Sequence, residues 1–121
     1  MSDYCTFRVE NGITIAHFTK APDIDAVEAI LRELAENYPQ DLRLWDMRDI
    51  VINQTQDELR QVAAHSATTF ANPGRIALVA SDDLTYGVLR IFEVYNEQET
   101  VQSQTRVFRS MEDATRWLLE E

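Results

Sequence analysis

The chain reads as an α/β domain with a mixed, mostly parallel five-stranded sheet, an N-terminal β-hairpin and four helices, in the order ββαβαβαβα. Three observations predict this class. Asn11-Gly12 separates two alternating segments, short apolar runs recur after it, and each run is followed by a segment of helical period. Such alternation calls for parallel strands joined by right-handed crossovers. The 121 residues fit one domain, 1–121, with no internal repeat and no linker long enough to divide it.

Residues 4–10 and 13–19 form the hairpin, because Asn-Gly tolerates the positive φ angles of a tight turn. Cys5, Phe7 and Val9 share one face of the first strand, and Ile13, Ile15 and His17 one face of the second. Ala21-Pro22-Asp23 opens a helix with Ile24, Val27, Ile30, Leu31, Leu34 and Tyr38 as its stripe, ending before Pro39. Residues 42–47 are apolar on both faces apart from Arg43 and Asp46, as a strand covered on two sides requires.

Thr55-Gln56-Asp57-Glu58 matches a capping box, and the helix behind it carries Leu59, Val62, Ala63, Ser66 and Phe70 before Asn72-Pro73-Gly74 stops it. Residues 75–80 form a buried strand. Ser81-Asp82-Asp83 starts a third helix whose expected stripe is Leu84, Val88, Ile91, Phe92 and Tyr95. Residues 101–108 are the last strand. Ser110 caps a fourth helix expected to bury Met111, Ala114, Trp117 and Leu118.

Composition narrows the function classes. A net charge of −10, with ten arginines and the single Lys20 scattered along the chain, repels phosphate backbones, so no nucleic-acid partner is expected. No apolar run approaches the roughly 20 residues of a spanning helix, so no integral membrane association is expected. The N-terminal residues lack the features of a secretory signal, which makes cytoplasmic the simplest location. Cys5 is the one cysteine and reads as a small core residue. His17 and His65 stand without a metal-ligand motif, His65 expected to face solvent and His17 expected to be half-buried. Gly12, Gly74 and Gly87 are too dispersed for a phosphate loop. The residues suggest no catalytic set, no metal site and no cofactor.

Trp45-Asp46-Met47-Arg48, then Ile76-Ala77-Leu78-Val79-Ala80 before a helix holding Tyr86-Gly87 and Arg90, then Val107-Phe108 with Ala114 and Trp117-Leu118, resemble the SpoIIAA-like family, which is related to STAS domains. The resemblance covers nearly the whole chain, through core and turn positions that mark a fold more than an activity. It implies a (βα) superhelix with helices stacked along one side of the sheet. STAS-domain antagonists of anti-sigma factors carry an Asp-Ser pair in the loop after the strand that corresponds to 42–47, and a partner kinase phosphorylates the serine. The matching loop here is Val51-Ile52-Asn53-Gln54-Thr55-Gln56. Thr55 stands near the phosphoacceptor place, but no Asp precedes it, no serine is present and no Gly follows, which argues against the usual phosphoserine switch. The broader superfamily also resembles CRAL-TRIO lipid-binding domains, which are longer and carry gating helices that these residues do not provide.

In open parallel sheets ligands gather beyond the carboxyl ends of the strands, which singles out Asp46, Arg48, Asp49, Asn53 and Thr55 as a partner or ligand site. Ordinary structural roles compete with that reading: hydrogen bonds for Asp46 and Arg48, and a helix cap for Thr55. Tyr86 and Arg90, with Glu93, are a secondary surface on the third helix, the competing reading being a solvated face. The expected function is therefore a non-catalytic protein-interaction or regulatory module of STAS type with a protein partner, the alternative being a small apolar-ligand or lipid-binding domain. If the helices cover one sheet face only, a second subunit is the economical cover for the other, and a homodimer is expected.

Overall fold

Asn11 and Gly12 both hold positive φ, 54° and 77°, the pair of values that lets a two-residue turn follow the right-handed twist of its strands. They join β1 (Cys5–Glu10) to β2 (Ile13–Phe18) as an antiparallel hairpin. The computed structural model describes residues 3–38, 40–52, 54–69, 74–99 and 104–120. After the hairpin come α1 (Ile24–Asn37), β3 (Leu42–Asp46), α2 (Gln56–Thr69), β4 (Arg75–Val79), α3 (Asp83–Glu99), β5 (Gln104–Phe108) and α4 (Met111–Leu118). The five strands lie side by side in chain order, and every pair after the hairpin is parallel. This is the mixed α/β architecture with the element order the sequence predicts. The positions of Pro39, Phe70 and Asn72-Pro73, and the expected start of the last strand at 101–103, lie outside the described residues.

Caps set the helix starts. The Asp23 carboxylate accepts from the Ala26 amide at 2.8 Å, and the Ser110 hydroxyl accepts from the Asp113 amide at 3.3 Å. The capping box at Thr55 is complete: the Glu58 amide donates to the Thr55 hydroxyl at 3.2 Å, and Glu58 accepts from the Thr55 amide at 2.9 Å. Gly74 holds φ at 58°, and a Cβ there would lie 1.8 Å from the Asp41 carbonyl oxygen. That carbonyl accepts from the Arg75 amide at 2.9 Å, so the glycine is what lets β4 begin beside β3.

The sheet has two covered faces. On one, Phe18, Trp45, Leu78 and Val107 pack under α1, α2 and α3. On the other, Ile13, Ile15, Leu44, Ala77 and Val79 pack under Ala114 and Leu118 of α4, with Met111 and Trp117 half-buried at its margin. Helices stacked along one side only, as expected from the resemblance, are not what forms. The short connection 109–110 carries the chain across the sheet end, and α4 lays an apolar stripe over the second face. The face that a second subunit was expected to cover is covered from within.

The inner stripe of α3 also differs from expectation. Thr85, Val88, Leu89, Phe92 and Asn96 are the buried positions, while Leu84 is 51% and Ile91 39% exposed. Two polar residues occupy the inner face because each has a partner there: the Asn96 amide donates to the buried Thr105 hydroxyl of β5, and Thr85 serves the loop described next. His65, expected to face solvent, is half-buried on α2.

Candidate functional site

Parallel register places His17 directly opposite Asp46, and Asp46 opposite Val79, at the carboxyl ends of β2, β3 and β4. The chain then leaves β3 and runs over the sheet end as residues 47–52. Ile50 and Ile52 are buried among the helices, whereas Val51 between them is 55% exposed. This inward–outward alternation needs a backbone held in place, and several polar contacts hold it. The Met47 amide donates to the Val79 carbonyl at 2.8 Å, the Ser81 hydroxyl to the Arg48 carbonyl at 2.8 Å, and the Ile52 amide to the Thr85 hydroxyl at 2.9 Å. Thr85 in turn donates its own amide to Asp82 at 2.9 Å. The loop is therefore tied to β4 and to the first turn of α3.

The charged group at its start is compact. Arg48 grips Asp46 with two parallel contacts, Nε to Oδ1 at 2.9 Å and Nη2 to Oδ2 at 3.0 Å, while its amide donates to Oδ1 at 3.2 Å. Burial pushes the Asp46 carboxyl up, but the Arg48 hydrogen bonds and charge, helped by His17, outweigh it and hold the group below the usual carboxylate range. Donation to that same carboxylate keeps the Arg48 guanidinium above its ordinary value, against a smaller effect of burial. Beside this pair, His17 Nε2 lies 2.7 Å from Asp49 Oδ2. Asp49 is exposed, and the Arg48 side chain is about half-exposed.

Of the residues the sequence singles out, Asp46, Arg48 and Asp49 come together, and His17 joins them. Thr55 lies further along the loop, where its hydroxyl and amide are engaged with Glu58. Asn53 lies outside the described residues. Tyr86 and Arg90 belong to a different surface: the Arg109 guanidinium sits 4.2 Å from the Tyr86 ring centroid, and Arg90 Nε is 3.7 Å from Glu93 Oε2. Burial pushes the Glu93 carboxyl up, with Arg90 only partly offsetting it. Sequence reasoning missed that His17 is part of the cluster and that Ser81 and Thr85 fix the loop. Aligning the strand ends carries the first signal, since the hairpin turn and the start of β3 together set His17 against Asp46.

Under the loop, between the sheet and the first three helices, is an apolar cavity of about 30 Å³ lined by Val27, Trp45, Leu59, Leu78, Leu89 and Phe92 among others. A smaller one of about 10 Å³ lies on the Val62, Ser66 and Ile76 side of Trp45. Trp45 Nε1 is buried and has no hydrogen-bond partner among the described residues. Outside the larger cavity a groove of about 290 Å³ runs along Ala21, Pro22, Asp23, Val51 and Glu58. Pro22, Ile52 and Gln54 line both spaces, and Gln54 Nε2 reaches the Pro22 carbonyl at 3.5 Å, across the mouth. No protein-family model matches the chain, and no curated protein matches it.

Proposed function

We propose that the protein is a non-catalytic interaction module of regulatory type, which presents residues 48–54 to a protein partner. One observation carries the reading: a loop fastened to two neighbouring elements holds an apolar side chain, Val51, out in solvent beside the exposed charges of Arg48 and Asp49. Pre-ordering of this kind lowers the entropy lost on association, and an exposed apolar residue within a charged rim is the usual anatomy of a contact surface. The location corresponds to the loop through which the resembled STAS domains act. The Thr55 hydroxyl is occupied as a helix cap, which supports a surface that works without a phosphoserine switch.

Affinity capture with the wild-type protein and with Val51→Asp tests this. A partner retained by wild type and by Thr55→Ala, and lost with Val51→Asp, is the expected result. Equal recovery by all three removes the loop from the reading.

A second reading, an apolar-ligand site, rests on the cavity beneath the loop and on the Trp45 indole N–H, which has no partner among the described residues. At about 30 Å³ the space suits one or two waters rather than a lipid. A bound chain would require α1 and α2 to part at Pro22 and Gln54. Native mass spectrometry of freshly purified protein decides it, a bare chain mass counting against a resident ligand.

A further inference from the structure

Three of the large hydrophobic side chains exposed among the described residues, Leu84, Ile91 and Val94, lie on the outer side of α3. Gly87 lies between them, and a Cβ added there meets nothing within 4 Å. The spacing 84, 87, 91, 94 puts all four on one stripe, separate from the buried stripe of the same helix. Exposed apolar side chains concentrated this way mark a contact surface rather than random scatter.

We propose that this stripe is a homodimer seam, in which α3 of a second copy crosses antiparallel at Gly87. The charge pattern points to a second copy as the occupant. Asp83 and Arg90 flank the stripe on one side, four residues before Gly87 and three after it, and both are exposed. A two-fold axis at Gly87 sets like flanks against each other and reverses the chain direction. Asp83 of one copy then meets Arg90 of the other, twice. The same operation brings Leu84 against the second copy's Ile91. Glycine at the crossing permits close backbone approach. Asp83 already lies 2.9 Å from Arg109, and Arg90 lies 3.7 Å from Glu93. Both are solvent-exposed contacts on at least one side, weak enough to be shared with the new partner. One crossing helix pair covers less than the roughly 800 Å² per partner of a standard interface, so the dimer is weak and concentration-dependent.

This goes beyond the partner-binding loop, and its failure is separable, because it is read by mass rather than by capture. Sedimentation equilibrium of the full chain over a concentration series is expected to show monomer and dimer. Ile91→Asp is expected to weaken association at least about tenfold, since each substitution counts twice across the axis. Asp83→Arg alone and Arg90→Asp alone are each expected to be monomeric, because each sets like charges together. Mixed in equal amounts, the two are expected to form a heterodimer, since both cross pairs are then of opposite sign. Thermal melts confirm that each variant is folded. A chain that stays monomeric throughout, or a dimer indifferent to Ile91→Asp, or two charge variants that do not associate when mixed, overturns the proposal.

Discussion

Asp46 is buried to 3% side-chain exposure and owes its ionised state to Arg48. Replacing it with Asn removes charge-assisted hydrogen bonds and leaves the guanidinium without its anchor, an expected loss of about 2 kcal/mol at neutral pH, read by urea denaturation. Its folded pKa lies below its unfolded one, so the stabilisation is present above the unfolded value of about 3.9 and is lost as pH falls through the lower folded value. Wild type and Asp46→Asn are therefore expected to converge in acid. Glu93 has the opposite sign. Burial raises its pKa, so its ionised form opposes folding at neutral pH and that cost disappears as pH falls through the raised value. Glu93→Gln is expected to raise Tm at neutral pH, with a gain that shrinks in acid. Thr85→Val leaves the buried Ile52 amide without its acceptor and is expected to cost about 1–3 kcal/mol, with faster amide exchange in residues 48–54 as its local signature.

Among the elements, β4 depends on the glycine before it as well as on its own buried apolar residues. Gly74→Ala drives a Cβ into the Asp41 carbonyl at a positive φ, and the expected outcome is a marked drop in Tm with loss of the β3–β4 junction, checked by calorimetry. Element order and most strand and helix cores were legible in the sequence because each depends on local signals: Asn-Gly for the hairpin, the Thr55 capping box, the period of α1. The orientation of α3 was not. Periodicity scores Leu84 and Ile91 as inner because they are apolar, whereas the fold turns Thr85 and Asn96 inward on the strength of hydrogen bonds to distant residues. The cluster at the loop was half legible. Asp46, Arg48 and Asp49 are neighbours in sequence, but His17 reaches them only through strand pairing across 32 positions.

For the whole molecule, the layering is the property that local reading did not reach. Nothing within 111–118 says which side of the sheet an amphipathic helix will take, and the answer depends on which face the other three helices leave open. That dependence matters during synthesis. The face formed by Ile13, Ile15, Leu44, Ala77 and Val79 is made by strands that all precede α4 in the chain. Until those last turns leave the ribosome, an apolar surface stays bare, for on the order of one second at roughly 5–20 residues per second. A nascent chain paused after β5 thus presents Ile13, Ile15, Leu44, Ala77 and Val79 as one bare apolar face, which the arrival of Ala114 and Leu118 covers.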